Sequence, residues 1–208
     1  MSDAAAPIKV GALLFEGFEL LDVFGPLEMF GMLKDRATLI MLAEKAGSVR
    51  SFQGPACTAE RALAGEHGLD VLLIPGGTGT RREVANEPFL AEIRRQCDKA
   101  RYVATVCTGS GLLARTGALD GRRATSNKFA FAWAVSQGPR VTWVPQARWV
   151  EDGKFFTSSG VSAGMDMSLG LIAHLFGRET SVRVANWAEY EWHDDKDRDP
   201  FAALNGLS

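Results

Sequence analysis

The sequence of 208 residues is poor in cysteine, histidine and tyrosine, with three, three and two. No uninterrupted apolar run approaches the roughly 20 residues of a membrane-spanning helix, and the first residues lack the basic-then-apolar layout of a signal segment. These absences set the expectation of a soluble, cytoplasmic chain. An odd cysteine count, in a chain large enough to bury a core without staples, argues against a disulfide framework and for free thiols. A dominant charge sign is missing as well. Against 25 acidic residues stand 23 basic ones, net −2, which offers no electrostatic footing for nucleic acid or anionic lipid. Gly77-Thr78-Gly79 has Arg82 where a dinucleotide fingerprint needs its third glycine, and Gly-x-x-x-x-Gly-Lys does not occur. Phosphate binding is therefore set aside.

What the chain does have is alternation. Residues 8–15 and 69–74 are short apolar runs without helical spacing, which suits strands covered on both faces. Residues 38–43 read as a strand, and 102–106 as another. Helices are expected at 87–100 and 109–115. A further helix after the first strand is expected to break at Gly25-Pro26 and resume to Leu33, with Pro26 in a first turn. Strand, crossover helix and strand in succession imply an α/β fold with a mostly parallel central sheet and helices on both faces. Residues 141–156, with Glu151-Asp152-Gly153-Lys154 as a turn, read as a small antiparallel hairpin forming an annex. Helices follow at 162–176 and 179–192. No repeat or linker divides the chain, so one domain is expected over residues 1–208, with its core at 8–192 and a solvated, frayed tail at 193–208.

Cys107 stands where strand 102–106 gives way to helix 109–115, an elbow that lifts a side chain above the sheet's carboxyl edge, where α/β ligand sites lie. Backbone N–H groups at that helix start favour a thiolate, the reactive form. The alternative is a small buried hydrophobe, the role expected of Cys57 and Cys97. Attack by a thiolate on a multiply bonded carbon places negative charge one atom away, and fixed donors must meet it. Gly76, Gly77 and Thr78 form the neighbouring turn, with the Gly77 and Thr108 N–H groups as candidate donors; the other reading is a turn needed only for chain reversal. His67, His174 and His193 all lack the placement of a cysteine's base, and no cysteine or histidine pair has metal-ligand spacing. Asp22 is a charge in the apolar segment Leu20 to Pro26. It is either a helix cap or a carboxyl kept for a task; facing Cys107, it would share one proton with the sulfur.

The segments Leu21-Asp22-Val23-Phe24-Gly25-Pro26, Ile74-Pro75-Gly76-Gly77-Thr78-Gly79, Val106-Cys107-Thr108-Gly109-Ser110 and Gly160-Val161-Ser162-Ala163-Gly164-Met165-Asp166 together resemble the DJ-1/PfpI superfamily, within it the isocyanide hydratase branch. The resemblance runs over about residues 8–180. It implies a flavodoxin-like sandwich, usually a homodimer, with Cys107 as nucleophile, Asp22 as acid/base partner, and Thr108 and Gly160 at the site. Peptidase-like members follow the cysteine with histidine; Thr108 here favours hydration. Where many relatives carry Thr-Thr-His-Trp, this chain has Thr125-Ser126-Asn127-Lys128, so Asn127 removes a ring from the pocket. The implied activity is a cysteine-dependent hydro-lyase converting an isocyanide and water to an N-substituted formamide, with no metal or other cofactor and a small-molecule substrate. The alternatives are a stand-alone redox or electrophile sensor and a cysteine amidase or peptidase. Regulators with this sensor domain continue into a DNA-binding module, which the stop at Ser208 disfavours.

Overall fold

A computed structural model describes residues 6–66 and 68–207, so His67 lies outside the described residues. In chain order the strands are β1 (Ile8–Leu14), β2 (Ala37–Ala43), β3 (Gly47–Arg50), β4 (Ala56–Ala59), β5 (Arg61–Ala62), β6 (Val71–Ile74), β7 (Tyr102–Thr105), β8 (Arg123–Ala124), β9 (Thr142–Trp143), β10 (Trp149–Asp152) and β11 (Phe155–Ser158). The helices are α1 (Leu20–Gly31), α2 (Thr80–Glu83), α3 (Glu87–Lys99), α4 (Gly109–Arg115), α5 (Phe131–Gln137), α6 (Ala163–Phe176), α7 (Arg178–Trp187) and α8 (Pro200–Leu204).

The main sheet has the order β10-β11-β7-β6-β1-β2-β5, parallel except where β10 meets β11. Its central strand β6, Val-Leu-Leu-Ile, is buried at every position, because crossover helices cover both faces of a parallel sheet. The helix α3 shows how those helices are specified. Asn86 caps it by accepting from the Phe89 N–H at 3.3 Å, and Pro88 suits the first turn. Phe89, Leu90, Ile93 and Cys97 then bury one face at helical spacing.

Three expectations need correction. First, α1 runs unbroken through Pro26. The missing N–H costs one backbone bond, to the Asp22 carbonyl, but packing against α6 keeps the helix whole: a Cβ at Gly25 would stand 2.8 Å from Met165 Cγ. Second, a hairpin forms around Gly153, at φ 61°, but over residues 149–158, while Thr142–Trp143 pairs in parallel with β8; it is no annex, since β11 pairs with β7 and extends the main sheet. The hairpin that stands apart is β3–β4. Third, α7 ends at Trp187, and the tail beyond residue 193 is solvated at most positions as expected but is anchored at Asp199 and Ala202 instead of frayed.

Asp199 explains the docked tail. Its N–H donates to Gln146 O at 2.7 Å, and its Oδ1 caps α8 by accepting from the Phe201 N–H at 3.0 Å. Its fully buried carboxylate lies 3.9 Å from Lys128 Nζ and 3.8 Å from Arg148 Nη1, both also buried. Burial pushes the Lys128 ammonium down to about 8, opposed by Asp199 and reinforced by Arg148. Removing one member of such a cluster strands the others in low dielectric, so Asp199→Ala is expected to lower stability by about 3 kcal/mol. Loss of the exposed Arg94–Asp98 pair is worth under about 1 kcal/mol. Urea melts of Asp199→Ala and Arg94→Ala check this; equal midpoints would show that the buried cluster does not hold the tail.

Candidate active site

Adjacent strands β11, β7, β6 and β1 run parallel and end along one carboxyl edge. Ser159 to Val161 follow β11, Cys107 follows β7, Gly76 and Gly77 follow β6, and Asp22 lies in the first turn of α1 after β1. Neighbouring strand ends therefore bring together residues far apart in sequence, which is how open α/β sheets build sites.

Cys107 has φ 57°, a conformation that costs a side-chain-bearing residue on the order of 1–3 kcal/mol and persists only where the surroundings impose it. They do so from both sides. The Cys107 N–H donates to Ser159 O at 3.0 Å, and its carbonyl accepts from Ser110 Oγ at 3.1 Å and Ser126 Oγ at 2.9 Å. Val161, whose N–H is directed at the Cys107 sulfur, is left-handed as well, at φ 46°.

Asp22 is fully buried. Its Oδ2 accepts from the Gly76 N–H at 2.8 Å, while its Oδ1 has no N–H or O–H donor among the described residues. The Cys107 side chain lies beside the carboxyl. Gly76 permits this meeting: a Cβ there would stand 2.6 Å from Thr108 N and 2.9 Å from Asp22 Oδ2, closer than such atoms approach. Burial raises the Asp22 pKa well above 3.8, with the Gly76 N–H opposing and Glu19 adding. It also pushes the Cys107 thiol up, and the Asp22 charge pushes it further; the Thr108 and Val161 N–H groups and the Thr108 side chain act the other way. The expected helix-start donors are thus present, but desolvation outweighs them.

Thr108 is buried, and its Oγ1 accepts from the Gly77 N–H at 3.1 Å and lies 3.2 Å from Thr80 Oγ1. The Gly77 N–H is therefore occupied within the protein and is not a free donor, contrary to expectation. Thr78 is exposed, its hydroxyl beside Gly17. Gly160 abuts Asn127 so closely that a Cβ would stand 2.3 Å from the Asn127 Nδ2. These two residues line a cavity of about 250 Å³ with Phe129, Val161 and Phe201. A larger cleft of about 600 Å³, walled by Phe15, Glu16, Lys45, Arg82 and Phe89, holds none of the residues around the sulfur. His174 pairs with the Tyr102 hydroxyl at 3.1 Å, and the His193 N–H serves Asp166. Neither histidine is among the groups acting on Cys107. Cys97 is buried in α3 and Cys57 half-buried in β4. The sequence gives no role to Thr80, Ser126 or Val161, because hydroxyls and a backbone N–H carry no motif of their own.

The family model for the DJ-1/PfpI family matches residues 8–174. The chain belongs to the DJ-1/PfpI family. It is 35% identical to the isonitrile hydratase of Pseudomonas putida over 188 residues, covering 88% of this chain and 78% of that protein. It is also 30% identical to the HTH-type transcriptional regulator GbdR of Pseudomonas aeruginosa, over 89% of this chain and 51% of the regulator. Among solved structures, a ThiJ/PfpI family protein from Pseudomonas syringae superposes with a TM-score of 0.82 at 28% identity, over 96% of this chain and 80% of that one. A cysteine-to-alanine mutant of the DJ-1 superfamily protein STM1931 from Salmonella typhimurium gives 0.78 at 25%, over 89% and 100%. These relatives bear out the flavodoxin-like sandwich.

The Asp22 charge raises the thiol's pKa, so its removal must lower it. Asp22→Asn is expected to shift the pH profile of Cys107 alkylation by iodoacetamide to lower pH. Peptide mass spectrometry separates Cys107 from Cys57 and Cys97. An unchanged or upward-shifted midpoint would mean that the carboxyl and the sulfur do not interact.

Proposed function

We propose that the protein hydrates isocyanides, R–N≡C, to N-substituted formamides, with Cys107 as nucleophile and Asp22 as acid and base. The observation that carries this reading is the buried carboxyl beside the Cys107 sulfur, with no histidine among the described residues acting on that sulfur. Two charges cannot both persist there, so the pair shares one proton; in the reactive form that proton sits on Asp22, and the N–H groups of Thr108 and Val161 face the charged sulfur.

The sulfur attacks the terminal carbon, forming an S–C bond, and the Asp22 carboxyl gives its proton to that carbon, leaving a thioimidate, R–N=CH–S. Water adds across C=N, its oxygen to carbon and one hydrogen to nitrogen. The hydroxyl proton then returns to Asp22 as the C=O forms and the S–C bond breaks, regenerating the pair and releasing R–NH–CHO. Thr108 N–H and Val161 N–H stabilise the sulfur both as entering and as leaving group. Thr108 in the position after the cysteine, with no histidine among the described residues acting on the sulfur, weighs against amide or peptide cleavage. The exposed Leu21 and Phe24 of α1 support a homodimer through that helix as part of the same reading.

The similarity to GbdR favours one second reading, a sensor that uses the same thiol without turnover. Incubation with para-nitrophenyl isocyanide separates the two. Repeated formamide production is expected from the wild-type protein, with Cys107→Ala and Cys107→Ser reduced by at least about a thousandfold. Modification that stops at one equivalent per chain would reject the hydratase reading and leave the sensor. Near-normal turnover by Asp22→Asn would remove that residue from the acid role.

A further inference from the structure

Arg81 has no part in the mechanism above, yet its guanidinium is held in place from three sides although the residue is exposed. Its Nη1 donates to Thr80 Oγ1 at 2.9 Å and reaches Gly77 O at 3.4 Å. Its Cζ stands 4.1 Å from the centroid of the Trp133 ring on α5. Trp133 in turn lies over α4, for a Cβ at Gly111 would meet its ring at 2.7 Å. Fixing an arginine costs up to roughly 2 kcal/mol of rotamer freedom. A cation–π contact and the hydrogen bonds offset that cost, and they anchor the side chain next to the hydroxyl network of the site.

The network can be followed hydrogen by hydrogen. Thr80 Oγ1 accepts from Arg81 and gives its own hydrogen to Gly77 O at 2.7 Å, its nearest acceptor. Thr108 Oγ1 accepts from the Gly77 N–H at 3.1 Å. Its hydrogen then has three destinations: Thr80 Oγ1 at 3.2 Å, Gly77 O at 3.4 Å, or the Cys107 sulfur. The cation has already engaged the first oxygen, and the Thr80 hydroxyl the second. A negatively charged sulfur is the strongest acceptor left.

We propose that Arg81 is a positioning residue for Cys107: acting through Thr80, it directs the Thr108 hydroxyl hydrogen onto the sulfur and adds a positive charge that favours the thiolate. Burial lowers the Arg81 pKa, and a charged Cys107 raises it, so the two groups interact electrostatically. The groups facing Cys107 are Asp22 from α1, with Glu19 beside that carboxyl, Thr108 ahead of α4 and Val161 ahead of α6; Arg81 from α2 joins them through Thr80 and Thr108. Arg81 is the cation linked to this set, and loss of its charge is expected to move the thiol's titration upward.

The test uses the full chain and two readouts. In Arg81→Met, the midpoint of Cys107 alkylation by iodoacetamide is expected to rise by about half a pH unit or more. The kcat for para-nitrophenyl isocyanide is expected to fall about tenfold, with KM within about twofold. Arg81→Lys should recover part of the midpoint shift, because it keeps the charge while losing the planar fork. Thr80→Val should reproduce the loss in kcat, and Thr80→Ser should restore it. An Arg81→Met alkylation profile that overlays the wild type overturns the proposal, and so does a change confined to KM. The kcat arm rests on the hydratase reading, whereas the alkylation arm does not. A shifted profile in a protein that turns over no isocyanide would sustain the role of Arg81 and reject the hydratase.

Discussion

A carboxyl and a thiol buried side by side at the carboxyl edge of a parallel sheet form the constraint on which the other features of this site depend. Each is an acid whose charged form is disfavoured by burial; the Asp22 charge makes the thiol harder still to ionise, while the Cys107 side chain, hydrogen-bonded to the carboxyl, eases the ionisation of Asp22. Burial by itself favours the neutral, unreactive form of each. Its counterweight is a set of backbone donors that cannot rotate away, the Gly76 N–H on Asp22 and the N–H groups of Thr108 and Val161 on the sulfur, joined by the Thr108 side chain. Backbone donors suit this task because their orientation is set by the chain itself and needs no reorganisation when charge develops.

The strain at the site follows from the same need. Cys107 and Val161 both take left-handed backbone conformations without being glycine. Serine hydroxyls and the Ser159 carbonyl hold the Cys107 peptide groups on either side. Its side chain and the N–H groups of its neighbours therefore converge on one point. Gly76 allows the approach of β6 to this point, since any side chain there would occupy the space of Thr108 N and Asp22. Remote packing contributes as well, because the close contact of α1 with α6 keeps the helix carrying Asp22 continuous through Pro26.

Much of this architecture is legible in the chain. The apolar runs at β1, β6 and β7 mark strands covered on both faces, and α4 begins and ends where its pattern places it. Asp22, Cys107, Thr108 and Gly76 were recognisable as candidates from local context alone. The structure brings them together, whereas Thr78 stands exposed and the Gly77 N–H is taken up by Thr108. What escaped reading has a common cause. Lys128, Arg148 and Asp199 each look like surface charges until the fold buries them together. Arg81 looks like one of two ordinary helix arginines until Trp133, 52 positions later in the sequence, supplies the face on which it rests.

The order of residues by itself determined the strands β1, β2, β6 and β7 and the helices α3, α4 and α6, because periodicity, capping and glycine placement act over a few neighbours. Only the tertiary structure decided the protonation balance at Cys107, which donors remain available, and whether the last residues dock. Those properties depend on desolvation and on partners from distant segments, and both come into being when β11, β7, β6 and β1 align along one edge.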